Sequence, residues 1–252
     1  MNKDCLVYQP GGLGDILFIQ KICRSYLDQG YRIIFPVLYE YAWLPDYIKD
    51  IEFPSWQDKD KLLTHLDTPH GFSKDVVFDH IDYYSASNPT ILEGEFVYLN
   101  FFSPPKGKVM DHKYNMVGMD YSNWQDYVIF DRNKEKENKL FYEVLKIKDG
   151  EPYCLVSQNY RVRNKSARQL NISTNLRTIH LDFYDGYSLF DWCKVLENCA
   201  EMHLVETSTN YILESPLVRE NFIKNCKSMN LYHRSSNFNE VRHLFSLPWT
   251  YK

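Results

Sequence analysis

The stretch LVYQPGGLGDILFIQKI, Leu6 to Ile22, constrains the fold of this chain more than any other segment. An apolar run over 5–9 predicts a short buried strand, and Pro-Gly-Gly ends it. From Ile16, apolar residues recur at every fourth position and predict one face of a helix that closes near Gly30. A strand, a glycine loop and a helix in this order are typical of a parallel, helix-covered sheet.

The same alternation of strand and helix signals continues along the chain. Short apolar runs predict further strands at 32–37, 75–78, 152–157, 178–181, 202–205 and 228–232. Helical patterns lie between several of them, including a charged helix over 133–148 that ends at Asp149-Gly150. We therefore predict an α/β protein made of two Rossmann-like parallel-sheet domains, 1–149 and 150–252, which face each other across a cleft.

Composition and charge exclude several classes of function. The formal net charge of −4 indicates no general basic surface, so no nucleic-acid partner is expected. The six cysteines are scattered, without C-x-x-C or zinc-type spacing, and we expect buried thiols in a reducing, cytoplasmic protein. No apolar run approaches the ~18 residues that a membrane helix needs. No metal site is expected, and His203, which lies in a strand pattern, is predicted to be structural.

The glycine loop places Asp15 at the start of the predicted helix. Gly11, Gly12 and Gly14 permit positive φ angles and close approach of the backbone, and the helix start presents unpaired N–H groups. The pattern differs from the dinucleotide fingerprint G-x-G-x-x-G, and no G-K-[ST] of a Walker loop follows. Two interpretations stay open: Asp15 stabilises its own helix as a first-turn acid, or it faces a ligand held beside the glycines.

A basic loop follows the strand that ends at Ser157. Its four cations, Arg161, Arg163, Lys165 and Arg168, lie within eight residues. Open α/β sheets bind ligands at the carboxyl ends of their strands, and Arg and Lys at that edge are able to neutralise a diphosphate. The alternative interpretation is an ordinary solvated basic loop.

A third candidate segment is Met202 to Ser215, MHLVETSTNYILES. Here a predicted strand leads through Glu206, Thr207 and Ser208 into the start of a helix. Hydroxyl side chains at this position are common helix caps. A helix start that carries hydroxyl groups is also an anion site, because the helix dipole favours negative charge there.

Two of these segments resemble the signatures of a known family. GGLGDILF, followed by an amphipathic helix, is similar to the N-terminal signature of the heptosyltransferase-like glycosyltransferases of the family 9 type, which have the GT-B fold. LVETSTNYILES is similar to their second signature, a turn that holds the diphosphate of a nucleotide sugar. In this chain Glu206-Thr207-Ser208 stands where that turn usually has Asp-Thr-Gly, so the donor sugar stays open.

The resemblance implies a role for each matched residue. Asp15 is the implied catalytic base, and the glycine loop lies near the acceptor. His80, in VVFDHIDYY, is either a further acceptor-side residue, an alternative base or a structural histidine. The donor diphosphate is implied to contact six residues of the second half: Ser157, Arg161, Arg163, Glu206, Thr207 and Ser208.

The implied function is transfer of a sugar from a nucleotide-diphosphate donor to a hydroxyl group of a glycan or lipid-linked glycan. The resemblance implies inversion at the anomeric carbon, independence of metal, and no cofactor besides the nucleotide-sugar co-substrate. Two alternatives stay open: an epimerase or hydrolase of nucleotide sugars with the same fold, and a non-catalytic protein that binds nucleotide or glycan.

The C-terminal tail, 245–251, is predicted to fold back across the N-terminal half.

Overall fold

The computed structural model describes residues 3–9, 11–56, 90–93, 96–101, 109–161, 166–234 and 241–252. These residues form two main β-sheets with helices, which confirms the predicted α/β class with two parallel-strand sheets. The chain divides into two compact units, Met1–Phe130 and Asp131–Lys252, and each contains one of the sheets. The predicted strand at 75–78 lies outside the described residues.

The sheet of the first unit has the strand order β2-β1-β4-β3. Its strands are β1 (Lys3–Tyr8), β2 (Tyr31–Ile34), β3 (Thr90–Glu93) and β4 (Phe96–Asn100). β1 is an interior strand and pairs in parallel with both β2 and β4, whereas β3 is antiparallel to β4. Residues 4–7 of β1 are buried, and 5–7 belong to the predicted apolar run.

Three helices of the first unit position the glycine loop and its neighbours. They are α1 (Leu13–Phe18), α2 (Gln20–Asp28) and α3 (Val109–Asn115). The sequence predicts one helix from Ile16, and the structure instead begins it at Leu13 and interrupts it at Ile19. The hydrophobic periodicity does not mark the first turn, because Gly14 has no side chain and Asp15 is polar.

The sheet of the second unit is entirely parallel and has the order β11-β10-β9-β5-β8. Its strands are β5 (Tyr153–Ser157), β8 (Arg177–His180), β9 (Glu201–Val205), β10 (Ser228–Tyr232) and β11 (Thr250–Tyr251). A short antiparallel hairpin, β6 (Asn159–Arg161) and β7 (Ser166–Ala167), follows β5. The strands predicted at 152–157, 178–181, 202–205 and 228–232 are therefore present.

Four α-helices lie among the described residues of the second unit. They are α4 (Lys134–Asn138, continued by a π-helix over Lys139–Val144), α5 (Cys193–Asn198, preceded by a 3₁₀ turn over Leu189–Trp192), α6 (Ser208–Glu214) and α7 (Pro216–Asn225). α7 is not among the helices that the sequence pattern predicts. Pro216 occupies its first turn, where proline needs no N–H partner and favours a helix start.

The charged helix predicted over 133–148 packs with the second unit, and the units divide after Phe130 rather than at Asp149. Arg132, just before α4, links this helix to α5. Its guanidinium contacts Glu137 in α4 and Glu197 in α5, so it ties the helix to the second unit. The acceptor and donor roles given to the two domains stay predictions.

The C-terminal tail joins the sheet of the second unit. β11 pairs with β10, and the buried carboxylate of Glu214 accepts hydrogen bonds from the backbone N–H groups of Ser246 (2.9 Å) and Leu247 (3.0 Å). The end of the tail is therefore a strand of the second sheet, and its fold across the N-terminal half stays a prediction. All six cysteines are buried free thiols. Among the described helices, none combines the length and the apolar character that a membrane span requires.

Candidate functional site

Asp15 lies in the first turn of α1, directly beyond the carboxyl end of the central strand β1. Gly12 is the residue that caps this helix, with a φ of 80°, a backbone conformation that glycine adopts without steric cost. The Asp15 side chain is 31% exposed, so its carboxylate is accessible from solvent. The structure therefore places the predicted base at the sheet edge where open α/β sheets bind ligands.

A buried lysine from α3 holds the Asp15 carboxylate. Lys113 is 1% exposed, and its Nζ lies 2.7 Å from Asp15 Oδ1 and 2.6 Å from Gln9 Oε1. Gln9 in turn donates from Nε2 to the carbonyl oxygen of Gly11 at 2.7 Å, which links the lysine to the glycine loop. Burial lowers the pKa of Lys113, while the charge of Asp15 opposes this shift.

Aromatic packing fixes α3 beside α1 and thereby positions Lys113. The ring of Tyr114 lies edge-on to Phe18 with 4.9 Å between centroids, and Trp124 contacts the same ring at 5.2 Å. The Tyr114 hydroxyl donates to the carbonyl oxygen of Phe18 at 2.6 Å. Because the residue before Tyr114 is Lys113, this packing sets the position of the ammonium group.

The phenol of Tyr41 lies beside the start of α1 within the first unit. The backbone N–H groups of Gly12 and Leu13 lower the pKa of its hydroxyl, against the larger effect of burial. Burial raises the pKa of Tyr41, so this neighbour of the loop is a neutral phenol rather than an anion. The loop thus has a neutral phenol beside it, and Asp15 is its accessible charged group.

Substitution of Gly12 by alanine is expected to displace the Asp15 carboxylate. A Cβ atom at this position would lie 2.4 Å from Asp15 Oδ2, in addition to the strain of a positive φ angle. Gly30→Ala is the matched control, because Gly30 has a φ of 84° and no atom within 4 Å of the added Cβ. We expect Gly12→Ala to lower the free energy of unfolding by about 1–2 kcal/mol more than Gly30→Ala, measured by urea denaturation. Equal losses of stability in the two variants would contradict the clash between the added Cβ and Asp15 Oδ2.

In the second unit, the predicted donor residues lie at the carboxyl ends of adjacent parallel strands. Ser157 ends β5 and is buried, and Glu206 follows β9, whose Val205 pairs with Tyr232 of β10. Thr207 caps α6 and Ser208 is its first residue, both half-buried. The structure therefore brings Glu206, Thr207 and Ser208 to the start of α6, as the sequence predicts.

Thr207 acts as a helix cap. Its side chain accepts a hydrogen bond from the backbone N–H of Thr209 at 3.4 Å. The Asn210 side chain completes a capping box by accepting from the Thr207 N–H at 2.9 Å. Asn210 is fully buried, and its Nδ2 has no hydrogen-bond partner within the described residues. One side-chain donor therefore remains unsatisfied beside the predicted diphosphate turn.

Glu206 is a buried carboxyl group at this turn. It is 8% exposed, and burial raises its pKa to about 7, although the charge of Arg234 opposes the shift. At neutral pH a large share of the molecules therefore carries a protonated Glu206. A neutral carboxyl group beside the helix start repels an anionic ligand less than a carboxylate does.

The raised pKa of Glu206 predicts a stability that falls with rising pH. Between about pH 4.5 and pH 7 the folded state binds a proton that the unfolded chain releases, so the free energy of unfolding decreases by roughly 3 kcal/mol. Glu206→Gln is expected to remove this decrease, measured as the difference between urea denaturation at about pH 5 and about pH 8. Glu220→Gln, at an exposed position of α7, is the control and should retain the decrease in the free energy of unfolding with rising pH.

The remaining predicted residues are described in part or not at all. The backbone of Arg161 lies in β6, and Arg163 and His80 lie outside the described residues. The roles predicted for them stay predictions. Arg168, from the same basic loop, donates to the carbonyl oxygen of His233 and lies 5.7 Å from the ring centroid of Tyr232.

Sequence reasoning missed Lys113, Gln9 and Tyr41. No local signal marks Lys113, because it lies 98 residues from Asp15 in a short segment, VMDHKYN, without a clear period. Gln9 had one weak signal, its place between a buried strand and the glycine turn. Tyr41 had none, because its hydroxyl reaches the loop only through the tertiary fold.

Comparison with known proteins supports the fold. No protein-family model matches the sequence, and the curated proteins contain no significant match. The structure is similar to a crystal structure described as the glycosyl transferase family 9 from Veillonella parvula DSM 2008, with a TM-score of 0.52. The identity is 9%, and the similarity covers 94% of this chain and 84% of that chain. This similarity shows a shared fold.

Proposed function

We propose that this protein is a glycosyltransferase that moves a sugar from a nucleotide-diphosphate donor to the hydroxyl group of an acceptor, with Asp15 as the base. One observation carries the proposal: an accessible carboxylate stands at the carboxyl edge of the first sheet and is held there by a buried lysine. The fold supports it, since the similar structure from Veillonella parvula is described as a family 9 glycosyl transferase.

The chemistry of the reaction needs such a carboxylate. A sugar hydroxyl has a pKa far above neutrality, so its oxygen attacks the anomeric carbon more readily when a base accepts the proton. Lys113 contacts Oδ1 of Asp15, and we assign the proton transfer to the other carboxylate oxygen. Because α3 is packed against α1, the lysine holds the carboxylate in one orientation.

The second unit is proposed to bind the donor. The leaving nucleoside diphosphate would contact the start of α6 at Thr207 and Ser208, with Ser157 and the cations Arg161 and Arg163 beside it. Its negative charge would be stabilised by fixed donors and by the helix dipole, and such a donor is typically worth ~3 kcal/mol of barrier. Metal independence, inversion and a glycan or lipid-linked glycan acceptor belong to the same proposal.

The first test is a thermal-shift screen with UDP, GDP, ADP, CMP and dTDP. A nucleotide present at about 100 times its dissociation constant is expected to stabilise the protein by about 2.7 kcal/mol. The nucleotide that binds then identifies a donor for a transfer or hydrolysis assay with product analysis, performed with and without a metal chelator. If no nucleotide stabilises the protein, the donor site in the second unit is wrong.

One observation favours a second candidate, a protein that binds nucleotide or glycan without turnover. Asp15 is already ion-paired with Lys113, and an ion pair at a helix start also has a purely structural use. The same screen separates the candidates, since the binding protein would be stabilised by a nucleotide but would release no sugar from any donor.

A further inference from the structure

A cluster of metal-ligating side chains lies on one face of the second sheet, apart from the residues proposed for catalysis. Cys154 of β5 pairs with Glu201 of β9, and His203 follows Glu201 by two positions, so all three side chains share one face. Cys154 Sγ, a carboxylate oxygen of Glu201 and a ring nitrogen of His203 all lie within 4.8 Å of one another. No other such group of three occurs among the described residues.

The ligand chemistry of this cluster is specific. Cys154 and His203 are buried, and the Glu201 side chain is 19% exposed. One sulfur, one imidazole nitrogen and one carboxylate oxygen form a set that suits Zn²⁺ and similar borderline cations, whereas Mg²⁺ and Ca²⁺ prefer oxygen ligands alone. Three protein ligands leave one position of a tetrahedral site for water or another small ligand.

Outer hydrogen bonds orient two of the three ligands. The hydroxyl of Thr174 donates to Glu201 Oε2 at 2.7 Å, and His203 Nδ1 lies 2.9 Å from the hydroxyl of Tyr232. The inner atoms, His203 Nε2 and Glu201 Oε1, are 2.8 Å apart. Metal-binding histidines and carboxylates typically have such outer partners on the atom that does not bind the metal.

We propose that Cys154, Glu201 and His203 bind one divalent cation of the zinc class, oriented by Thr174 and Tyr232. The cation replaces the proton on the Cys154 thiol, and this proton passes to the solvent. The resulting thiolate and the Glu201 carboxylate supply two negative charges to the cation. The site is independent of the sugar-transfer proposal, and it revises the expectation from sequence that no metal is bound and that His203 is only structural.

The test uses the full-length protein after dialysis against a chelator, titrated with Co²⁺ alone and then with Zn²⁺ alone. Bound Co²⁺ is expected to show a thiolate-to-cobalt charge-transfer band that saturates at one equivalent, and Zn²⁺ is expected to remove it by displacement. Cys154→Ser should abolish the band. Cys23→Ser is the matched control, because Cys23 is an equally buried thiol in the first unit, and it should leave the band unchanged.

Two further variants keep the proposal testable if Cys154→Ser does not fold. His203→Gln should abolish the band, and Thr174→Val should weaken Co²⁺ binding by roughly 10–100-fold while the band keeps its shape. Absence of the band in the unmodified protein, or its persistence in Cys154→Ser or His203→Gln, would overturn the proposal. In that case the contacts form a hydrogen-bond network in which Glu201, His203 and Tyr232 satisfy one another without a cation.

Discussion

Asp15→Asn is expected to lower the rate of sugar transfer by roughly 10²–10⁴-fold while nucleotide binding stays unchanged. The amide has nearly the same shape as the carboxylate and is still able to accept a hydrogen bond from Lys113 through its oxygen. It cannot accept a proton from the acceptor hydroxyl. The proposed donor residues belong to the second unit, so the thermal shift caused by the nucleotide should be the same in both proteins.

A control variant and measurements of folding distinguish loss of the catalytic base from misfolding of the protein. Asp28→Asn is the matched control, because Asp28 is an exposed acid at the end of α2 in the same unit, and it should transfer sugar at the rate of the unmodified protein. Circular dichroism and the thermal midpoint report whether either variant is misfolded. If Asp15→Asn transfers sugar at an undiminished rate, Asp15 is a structural first-turn acid and another group is the base.

Arg132→Met is expected to lower the free energy of unfolding by about 3–5 kcal/mol. Arg132 Nε donates to Glu137 and its Nη2 donates to Glu197, each at 2.8 Å, while Nη1 donates to the carbonyl oxygen of Leu217 at 2.9 Å. Both carboxylates are buried. Removal of the guanidinium takes the buried cation away from both carboxylates and leaves Glu137 with only the exposed Lys134, and buried charges that lack such a partner are costly.

Lys134→Met provides a control on the same acceptor. Lys134 Nζ lies 3.4 Å from Glu137 Oε2, but its side chain is 63% exposed, against 12% for Arg132. An exposed ion pair of this kind contributes about 0–1 kcal/mol. Urea denaturation followed by circular dichroism compares the two variants. Similar losses in both would mean that the charges of Glu137 and Glu197 are solvated rather than compensated by Arg132.

Much of the fold was predictable because its signals are local. Patterns among residues close together in the sequence predict the strands β1, β5, β9 and β10, the glycine turn and the helix after it. The helix start at Thr207 was predictable for the same reason, since capping residues lie next to the helix they cap. The helix α7 was missed because Pro216 signals both the end of one helix and the start of another.

The sequence by itself determined the local chemistry: a carboxylate at a helix start behind flexible glycines, hydroxyl groups at a second helix start, and strands that alternate with helices. Only the tertiary structure decided which distant groups meet these residues. Lys113 reaches Asp15 across 98 residues, and Thr174 and Tyr232 reach Glu201 and His203 from separate segments. Local spacing carries no information about such contacts, because burial brings these side chains together only when the sheets and helices pack.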